Sequence, residues 1–154
     1  MHRIRPLHWL KKFRALPGEE RRLLLRTMVL VGFIRLGLWL LPIRTMRQAL
    51  ARLSQPDKTP LHAADITAER IGWIVRAASQ AVPKASCLTQ ALAAQTLLAR
   101  RGYPVRLHIG VAKGPGGQLQ AHAWLDSNNT IIVGGTEPEV GRFKPLLAWD
   151  KQDS

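Results

Sequence analysis

The hydrophobic pattern of this chain changes its period once, at Gly102, and that change limits the folds that the chain can adopt. Upstream, apolar residues recur every three or four positions, which predicts one helix over residues 67–81 and a second over residues 86–101. Downstream, apolar residues alternate with polar or small ones, which predicts a half-buried strand over residues 105–111. Helices followed by strands are typical of an α+β domain.

Short turn sequences follow this first strand. The glycine-rich turn 113–117 leads into a second predicted strand, residues 119–126, and the turn 127–129 leads into a third, residues 130–133. Connections of this length are too short for the crossovers that parallel strands need. We therefore expect an antiparallel meander that packs against the helices.

Basic residues are concentrated in the first third of the chain. Residues 1–53 contain 12 Lys or Arg and 2 Asp or Glu, whereas the rest of the chain contains 11 and 8. After a predicted basic helix over residues 43–53, the proline-containing polar stretch 54–62 has the composition of a linker. The sequence thus predicts a basic, apolar helical region (1–53), a linker (54–62) and a core domain (63–154).

The apolar run 23–41 is long enough to cross a bilayer, but Arg26 and Arg35 nearly offset its favourable free energy of insertion. We therefore expect a helix that packs on protein, with contact between residues 23–41 and a membrane surface left open. The basic region ahead of this run is too long for a secretory signal peptide. Because a single cysteine excludes an intrachain disulfide, we expect the chain to act in the cytoplasm.

Several classes of function lack the residues that they need. One cysteine and scattered histidines give no zinc-binding spacing, and the acidic residues form no calcium loop. No glycine-rich loop followed by Lys and Ser or Thr is present to bind a nucleotide phosphate. The net charge of +13 attracts polyanions, but no helix-turn-helix or RNA-recognition pattern accompanies it. We therefore expect no metal, no cofactor and no nucleic acid partner.

Cys87 is a candidate nucleophile because of its place at the predicted start of a helix. It follows Ser86, which is a good N-cap residue. Unpaired amides and the helix dipole favour an anion at such a position, either a thiolate or the oxyanion of a tetrahedral intermediate. The alternative is structural, since a lone cysteine is often a small buried hydrophobic residue.

His122 is the candidate base, because a cysteine nucleophile needs one within hydrogen-bond reach. It lies inside the second predicted strand, in the sequence Ala-His-Ala-Trp-Leu-Asp. Strand alternation puts Gln120, Trp124 and Asp126 on the same face as His122. The alternative is a structural histidine that is hydrogen-bonded within the fold.

The two candidates together carry a family resemblance. A Ser-Cys-Leu helix start followed 35 residues later by a histidine on a strand is similar to the transglutaminase-like arrangement of papain-type cysteine hydrolases. More closely, the chain resembles the leader peptidases of lasso-peptide biosynthesis, in their form without a fused recognition domain. The segments that carry this resemblance are residues 82–92, 97–102, 109–113, 121–124 and 134–135.

This resemblance implies a helical N-terminal half packed on a papain- or transglutaminase-like core of helices and a short antiparallel sheet. It implies that Cys87 and His122 hydrolyse the bond between the leader and the core of a ribosomally made precursor peptide. It also implies two protein partners, which are a separate small leader-recognition protein and an ATP-dependent lasso cyclase. The cyclase would use the core amine that this chain frees, so the chain itself needs no nucleotide.

The third catalytic residue stays open. Members of the family often carry an acid on the strand after the histidine, where this chain has Gly134. Asp126 is the nearest carboxylate and is predicted to orient His122, although about 13 Å of extended strand separates the two residues. Alternatively, Asp126 caps the turn that follows it. The other candidates are Glu137, Glu139, Gln120 and a backbone carbonyl that fixes the histidine tautomer.

A function of another class also fits these observations. The chain could be a non-catalytic module with a transglutaminase-like fold that binds a peptide or a membrane surface through its basic helical half. The state of the thiol separates the two functions. A peptidase requires an accessible, reactive thiol, whereas a binding module is compatible with an inert buried one.

Overall fold

A computed structural model describes residues 17–55 and 66–150 of the chain. Within these residues it contains five helices and one sheet of four strands, which confirms the predicted α+β class. The helices are α1 (Gly18–Leu40), α2 (Ile43–Leu53), α3 (Ala68–Ala81), α4 (Cys87–Arg100) and α5 (Glu137–Val140). The strands are β1 (Arg106–Lys113), β2 (Leu119–Ser127), β3 (Thr130–Val133) and β4 (Lys144–Asp150).

The two central helices begin at the hydroxyl residues that their sequences provide. The side chain of Thr67 accepts a hydrogen bond from the Arg70 amide at 3.3 Å, which caps α3. The side chain of Ser86 accepts one from the Thr89 amide at 3.2 Å, which caps α4. Each cap satisfies one of the amides that a helix start leaves unpaired. The cap on α4 therefore fixes Cys87 as the first residue of the helix.

The sheet is antiparallel, with the strand order β3-β2-β1-β4. The predicted meander is present as β1, β2 and β3. After α5 the chain returns to the other side of β1 and adds β4, a strand that the sequence analysis did not predict. Pro145 is paired opposite Gly110 in this strand, and an edge strand is where a sheet tolerates proline.

The two faces of the sheet have different neighbours. One face carries Leu107, Ala123 and Leu125, which join helical residues in the main hydrophobic core. The other face carries Trp124, which packs with Val140 and Phe143 in a smaller cluster. Because side chains alternate along a strand, His122 lies on the same face as Trp124, away from the main hydrophobic core.

A close contact fixes α3 against β3. At Gly72 an added Cβ atom would lie 2.6 Å from the Ile132 carbonyl oxygen, so only glycine allows this approach. The Arg76 guanidinium donates a hydrogen bond of 2.7 Å to the same oxygen. The end of β3 is therefore held in place from the helical side of the sheet.

Helix α1 packs on the domain through one face, as predicted for a helix covered by protein. Leu24, Val31 and Ile34 are buried on this face and belong to the main core, together with Met46 and Leu50 of α2. By length and apolar composition alone, α1 could also cross a membrane. Of the predicted linker 54–62, Ser54 and Gln55 end α2 in a turn, and its other residues lie outside the described residues.

An ion pair ties α1 to α3. The Arg70 guanidinium donates to the Glu20 carboxylate through two nitrogens, at 3.1 and 2.6 Å. This hydrogen bonding lowers the pKa of Glu20 below its ordinary value of 4.5. A carboxyl whose pKa is lower in the folded state stabilises the fold above its ordinary pKa and loses that contribution as the pH falls through the lowered pKa.

We expect a double-mutant cycle of Glu20→Gln and Arg70→Met to give a coupling free energy of about 0.5–1 kcal/mol at pH 7, because both side chains are partly exposed. At a pH well below the lowered pKa of Glu20 the coupling should vanish, since the carboxyl is then protonated. Urea denaturation at both pH values measures it. Glu19, the exposed residue next to Glu20, serves as the control. A cycle of Glu19→Gln and Arg70→Met should give no coupling free energy. A coupling that is equal at both pH values would contradict the assignment.

Candidate active site

Cys87 is partly buried at the first position of α4, where it packs against the main hydrophobic core. The amides of the first helical turn point out of the helix start beside it, apart from the Thr89 amide that Ser86 binds. In the part of the chain that the structure describes, the Cys87 sulfur makes no hydrogen bond. The thiol is thus next to unpaired donors that can hold an anion.

The ring of His122 is held by a backbone carbonyl. Its Nε2 lies 2.5 Å from the carbonyl oxygen of Gly134, at the end of β3. A carbonyl oxygen only accepts hydrogen bonds, so Nε2 must carry the proton. In the neutral ring the other nitrogen, Nδ1, then has a free lone pair and can act as a base. The ring also stacks on Phe143, with ring centroids 4.9 Å apart.

Gly134 occupies a position that only glycine tolerates. Its φ angle is +102°, a conformation that L-amino acids with side chains rarely adopt. An added Cβ atom would also lie 2.5 Å from the Cβ of Trp124. The carbonyl that orients His122 is therefore placed by the close contact of Gly134 with the neighbouring strand.

The predicted contact between Asp126 and His122 is not formed. The Asp126 carboxylate instead accepts a hydrogen bond of 3.0 Å from Nε2 of His108, on β1. The reason is the strand register, which pairs His108 with Trp124 and so leaves it diagonal to Asp126. The His108 ring stacks on Trp124 at a centroid distance of 5.2 Å. Trp124 therefore lies between the two histidine rings.

The other candidates for a third residue are not hydrogen-bonded to His122 either. The Glu139 carboxylate accepts hydrogen bonds from the amide and hydroxyl of Thr136, at 2.7 and 2.9 Å. These bonds lower the pKa of Glu139 below its ordinary value of 4.5, and the charges of Arg142 and His122 lower it further. Glu139 thus contributes a long-range electrostatic effect on His122. Within the described residues, Glu137 and Gln120 make no hydrogen bond to the imidazole.

No hydrogen bond joins the thiol to the imidazole among the residues that the structure describes. Helix α4 packs on the sheet face that carries Ala123, whereas His122 lies on the other face. Catalytic hydrogen bonds are often long in unliganded hydrolases and shorten when substrate binds. In the described structure the thiol packs against the helical core and the imidazole lies on the opposite face of the sheet, without a hydrogen bond between them.

No group of three or more histidine, cysteine or acidic side chains that could hold a metal occurs in the described ranges 17–55 and 66–150. The thiol of Cys87 and the imidazole of His122 are nucleophilic and acid–base groups. A thiol, an imidazole with a free Nδ1 and unpaired helix amides are the components of an acyl-transfer reaction.

Comparison with protein families gives a match to the model of the transglutaminase-like superfamily over residues 28–148. This match covers most of the chain, and the chain belongs to the transglutaminase-like superfamily. Members of this superfamily often use cysteine-dependent catalysis. A comparison with curated proteins and one with solved structures found no match.

Sequence reasoning allowed for a backbone carbonyl on His122 but did not identify it as that of Gly134, and it missed the bond between Asp126 and His108. The carbonyl of Gly134 has no side-chain signature, although the pair Gly134-Gly135 was part of the resemblance. The bond between His108 and Asp126 joins two strands, so only the strand register reveals it. The sequence signal available for His108 was its position in β1, where it alternates with apolar residues.

We expect neutral His122 to be the Nε2–H tautomer, because the Gly134 carbonyl accepts only from a protonated nitrogen. Long-range ¹H–¹⁵N correlation spectra of the ¹⁵N-histidine-labelled protein, recorded above the titration of the ring, measure the tautomer. The spectrum of His122→Gln assigns the signal by its loss. His108 serves as an internal reference, since it also donates through Nε2. An Nδ1–H tautomer for His122 would contradict the geometry.

Proposed function

We propose that this chain is a cysteine peptidase that removes the leader from a ribosomally made lasso precursor peptide. The observation that carries the proposal is the hydrogen bond from His122 Nε2 to the Gly134 carbonyl, which leaves Nδ1 free to act as a base. Cys87 supports it by its place at a capped helix start, next to unpaired amides. Membership of a superfamily that often uses cysteine-dependent catalysis supports it further.

The reaction proceeds in two halves. Nδ1 of His122 takes the proton of the Cys87 thiol as the sulfur attacks the scissile carbonyl. The oxyanion of the tetrahedral intermediate binds amides of the first turn of α4. Nδ1 then donates its proton to the departing amine, which leaves as the free N-terminus of the core peptide. A water molecule, deprotonated by the same nitrogen, hydrolyses the thioester and releases the leader.

The Gly134 carbonyl takes the place of the acid that often orients a catalytic histidine. It fixes the tautomer and the ring orientation, and it accepts the Nε2–H bond of the imidazolium as well. A carbonyl carries a dipole but no full charge, so it stabilises the imidazolium less than a carboxylate would.

The substrate and the partners are proposed from the resemblance of residues 82–92 and 121–124 to lasso leader peptidases. In this proposal a separate small recognition protein presents the leader, and an ATP-dependent cyclase takes the freed core amine. The reaction takes place in the cytoplasm and uses no cofactor. The basic surface of the chain favours an acidic leader or recognition protein, and this attraction weakens with salt.

Cys87→Ala and His122→Gln should each lower the turnover of precursor cleavage by about three orders of magnitude or more, because each removes one half of the reacting pair. The measurement is mass spectrometry of the cognate precursor after incubation with the chain and the recognition protein. The matched control is Asp126→Asn, which changes a carboxylate that binds His108. Its turnover should stay within about threefold of the unchanged protein.

Full cleavage by Cys87→Ala would exclude the peptidase mechanism. A fall of orders of magnitude in Asp126→Asn, with unchanged thermal stability, would instead make that carboxylate the group that orients His122. Circular dichroism of each variant shows whether the fold is intact.

A second function, a non-catalytic binding module, is favoured by one observation. No hydrogen bond joins Cys87 to His122 among the described residues. In such a module the transglutaminase-like fold would bind a peptide without cleaving it. An intact precursor that stays bound to the chain and its recognition protein after prolonged incubation would identify this function.

A further inference from the structure

Helix α1 has a second apolar face that the described residues 17–55 and 66–150 leave uncovered. Five large apolar side chains recur along it at helical spacing and are between 49% and 74% exposed. This row lies on the opposite side of the helix from the buried residues Leu24, Val31 and Ile34. We call the row the outer stripe, and its members are Leu25, Val29, Phe33, Leu36 and Leu40.

An exposed stripe of this length requires an apolar neighbour. A helix that is apolar on all sides is normally enclosed, by protein or by lipid. Contiguous exposed apolar surface is rare on soluble domains and marks sites of interaction. The outer stripe is therefore a docking surface, and its surroundings determine what it docks on.

The surroundings of the outer stripe are basic. Arg21, Arg22 and Arg26 are exposed in the first turns of α1, at one end of the stripe. Of the two acidic residues among residues 1–53, Glu20 is paired with Arg70. In the sequence, the seventeen residues before α1 contain five Lys or Arg and no acid. The neighbour must therefore be anionic as well as apolar, as the interface of an anionic bilayer is.

The other end of the stripe has an aromatic residue that suits the same interface. Trp39 is 74% exposed, and tryptophan prefers the boundary between lipid headgroups and acyl chains. A protein partner would need to match an apolar row, an arginine cluster and this exposed ring together. A bilayer surface matches all three, because its acyl boundary accepts the apolar row and its headgroup region accepts the arginines and the tryptophan ring.

The helix must lie along this surface rather than cross it. Its inner face is buried in the main core, and Glu20 holds it to α3 through the ion pair of 2.6 Å. Crossing the bilayer would expose that inner face and break the ion pair. We propose that the outer stripe docks the domain on the surface of anionic membranes, with its apolar side chains at the acyl boundary and its arginines among the headgroups.

Flotation of the full chain with lipid vesicles tests this proposal. The chain should partition onto vesicles of seven parts phosphatidylcholine to three parts phosphatidylglycerol, and much less onto phosphatidylcholine alone. Val29→Glu with Phe33→Glu should lower partition by about tenfold or more, because both side chains are inserted. The matched control is Leu119→Glu with Leu146→Glu, two apolar residues on the sheet that are 73% and 62% exposed. This control should bind nearly as well as the unchanged chain.

Arginine variants test the electrostatic half of the proposal. Arg22→Gln with Arg26→Gln should lower partition by about 30-fold, since each basic residue near an anionic surface contributes about a fivefold factor. Lys84→Gln with Lys113→Gln removes the same charge from the other half of the chain and should have a small effect. High salt should weaken binding of the unchanged chain.

A fluorescent label provides a readout that does not disrupt the stripe. In a Cys87→Ser background, Val29→Cys labelled with an environment-sensitive dye should shift its emission to the blue on anionic vesicles. The same dye at Leu119→Cys should not shift.

Three outcomes would overturn the proposal. They are no partition onto anionic vesicles, equal losses in the stripe and control variants, and stripe-dependent dimerisation or binding of the leader-recognition protein without any vesicle binding. None of these measurements depends on catalysis, so they leave the proposed peptidase function untouched.

Discussion

The carbonyl of Gly134 can hold the His122 ring only because the residue that follows β3 is a glycine and lies directly against Trp124. Any side chain at this position would collide with β2 and move the carbonyl. The end of β3 is also held from the helical side of the sheet. There α3 contacts the Ile132 carbonyl through the close approach at Gly72 and through the hydrogen bond from Arg76. The base of the candidate site thus depends on packing through the whole thickness of the sheet.

His108 and His122 lie on the same outer face of the sheet but are hydrogen-bonded to different partners. His108 is bound by the charged Asp126, and His122 by a neutral carbonyl, with Trp124 between their rings. The Asp126 carboxylate holds the His108 ring through its Nε2, whereas the carbonyl on Nε2 of His122 leaves the Nδ1 lone pair of that ring free. The strand register therefore separates a structural histidine from the candidate base.

Most of the fold between residues 67 and 133 could be predicted because its helices and strands carry regular apolar periods, clear caps and short turns. Helix α5 has only four residues, and β4 contains Pro145, so neither produces a periodic signal that could be read from sequence. At the site, Cys87 and His122 were identifiable from side-chain chemistry and position. The partners of the histidines were not, because a backbone carbonyl has no sequence signature and strand register is set by packing.

The account rests on His122 serving as the base for Cys87, and the reactivity of the chain's single cysteine tests this most directly. The measurement is the rate of alkylation of Cys87 by iodoacetamide at neutral pH, followed by mass spectrometry in the unchanged protein and in His122→Gln. The account predicts that the unchanged protein reacts faster by about tenfold or more, and that Asp126→Asn reacts like it. Equal rates in the unchanged protein and in folded His122→Gln would contradict the account.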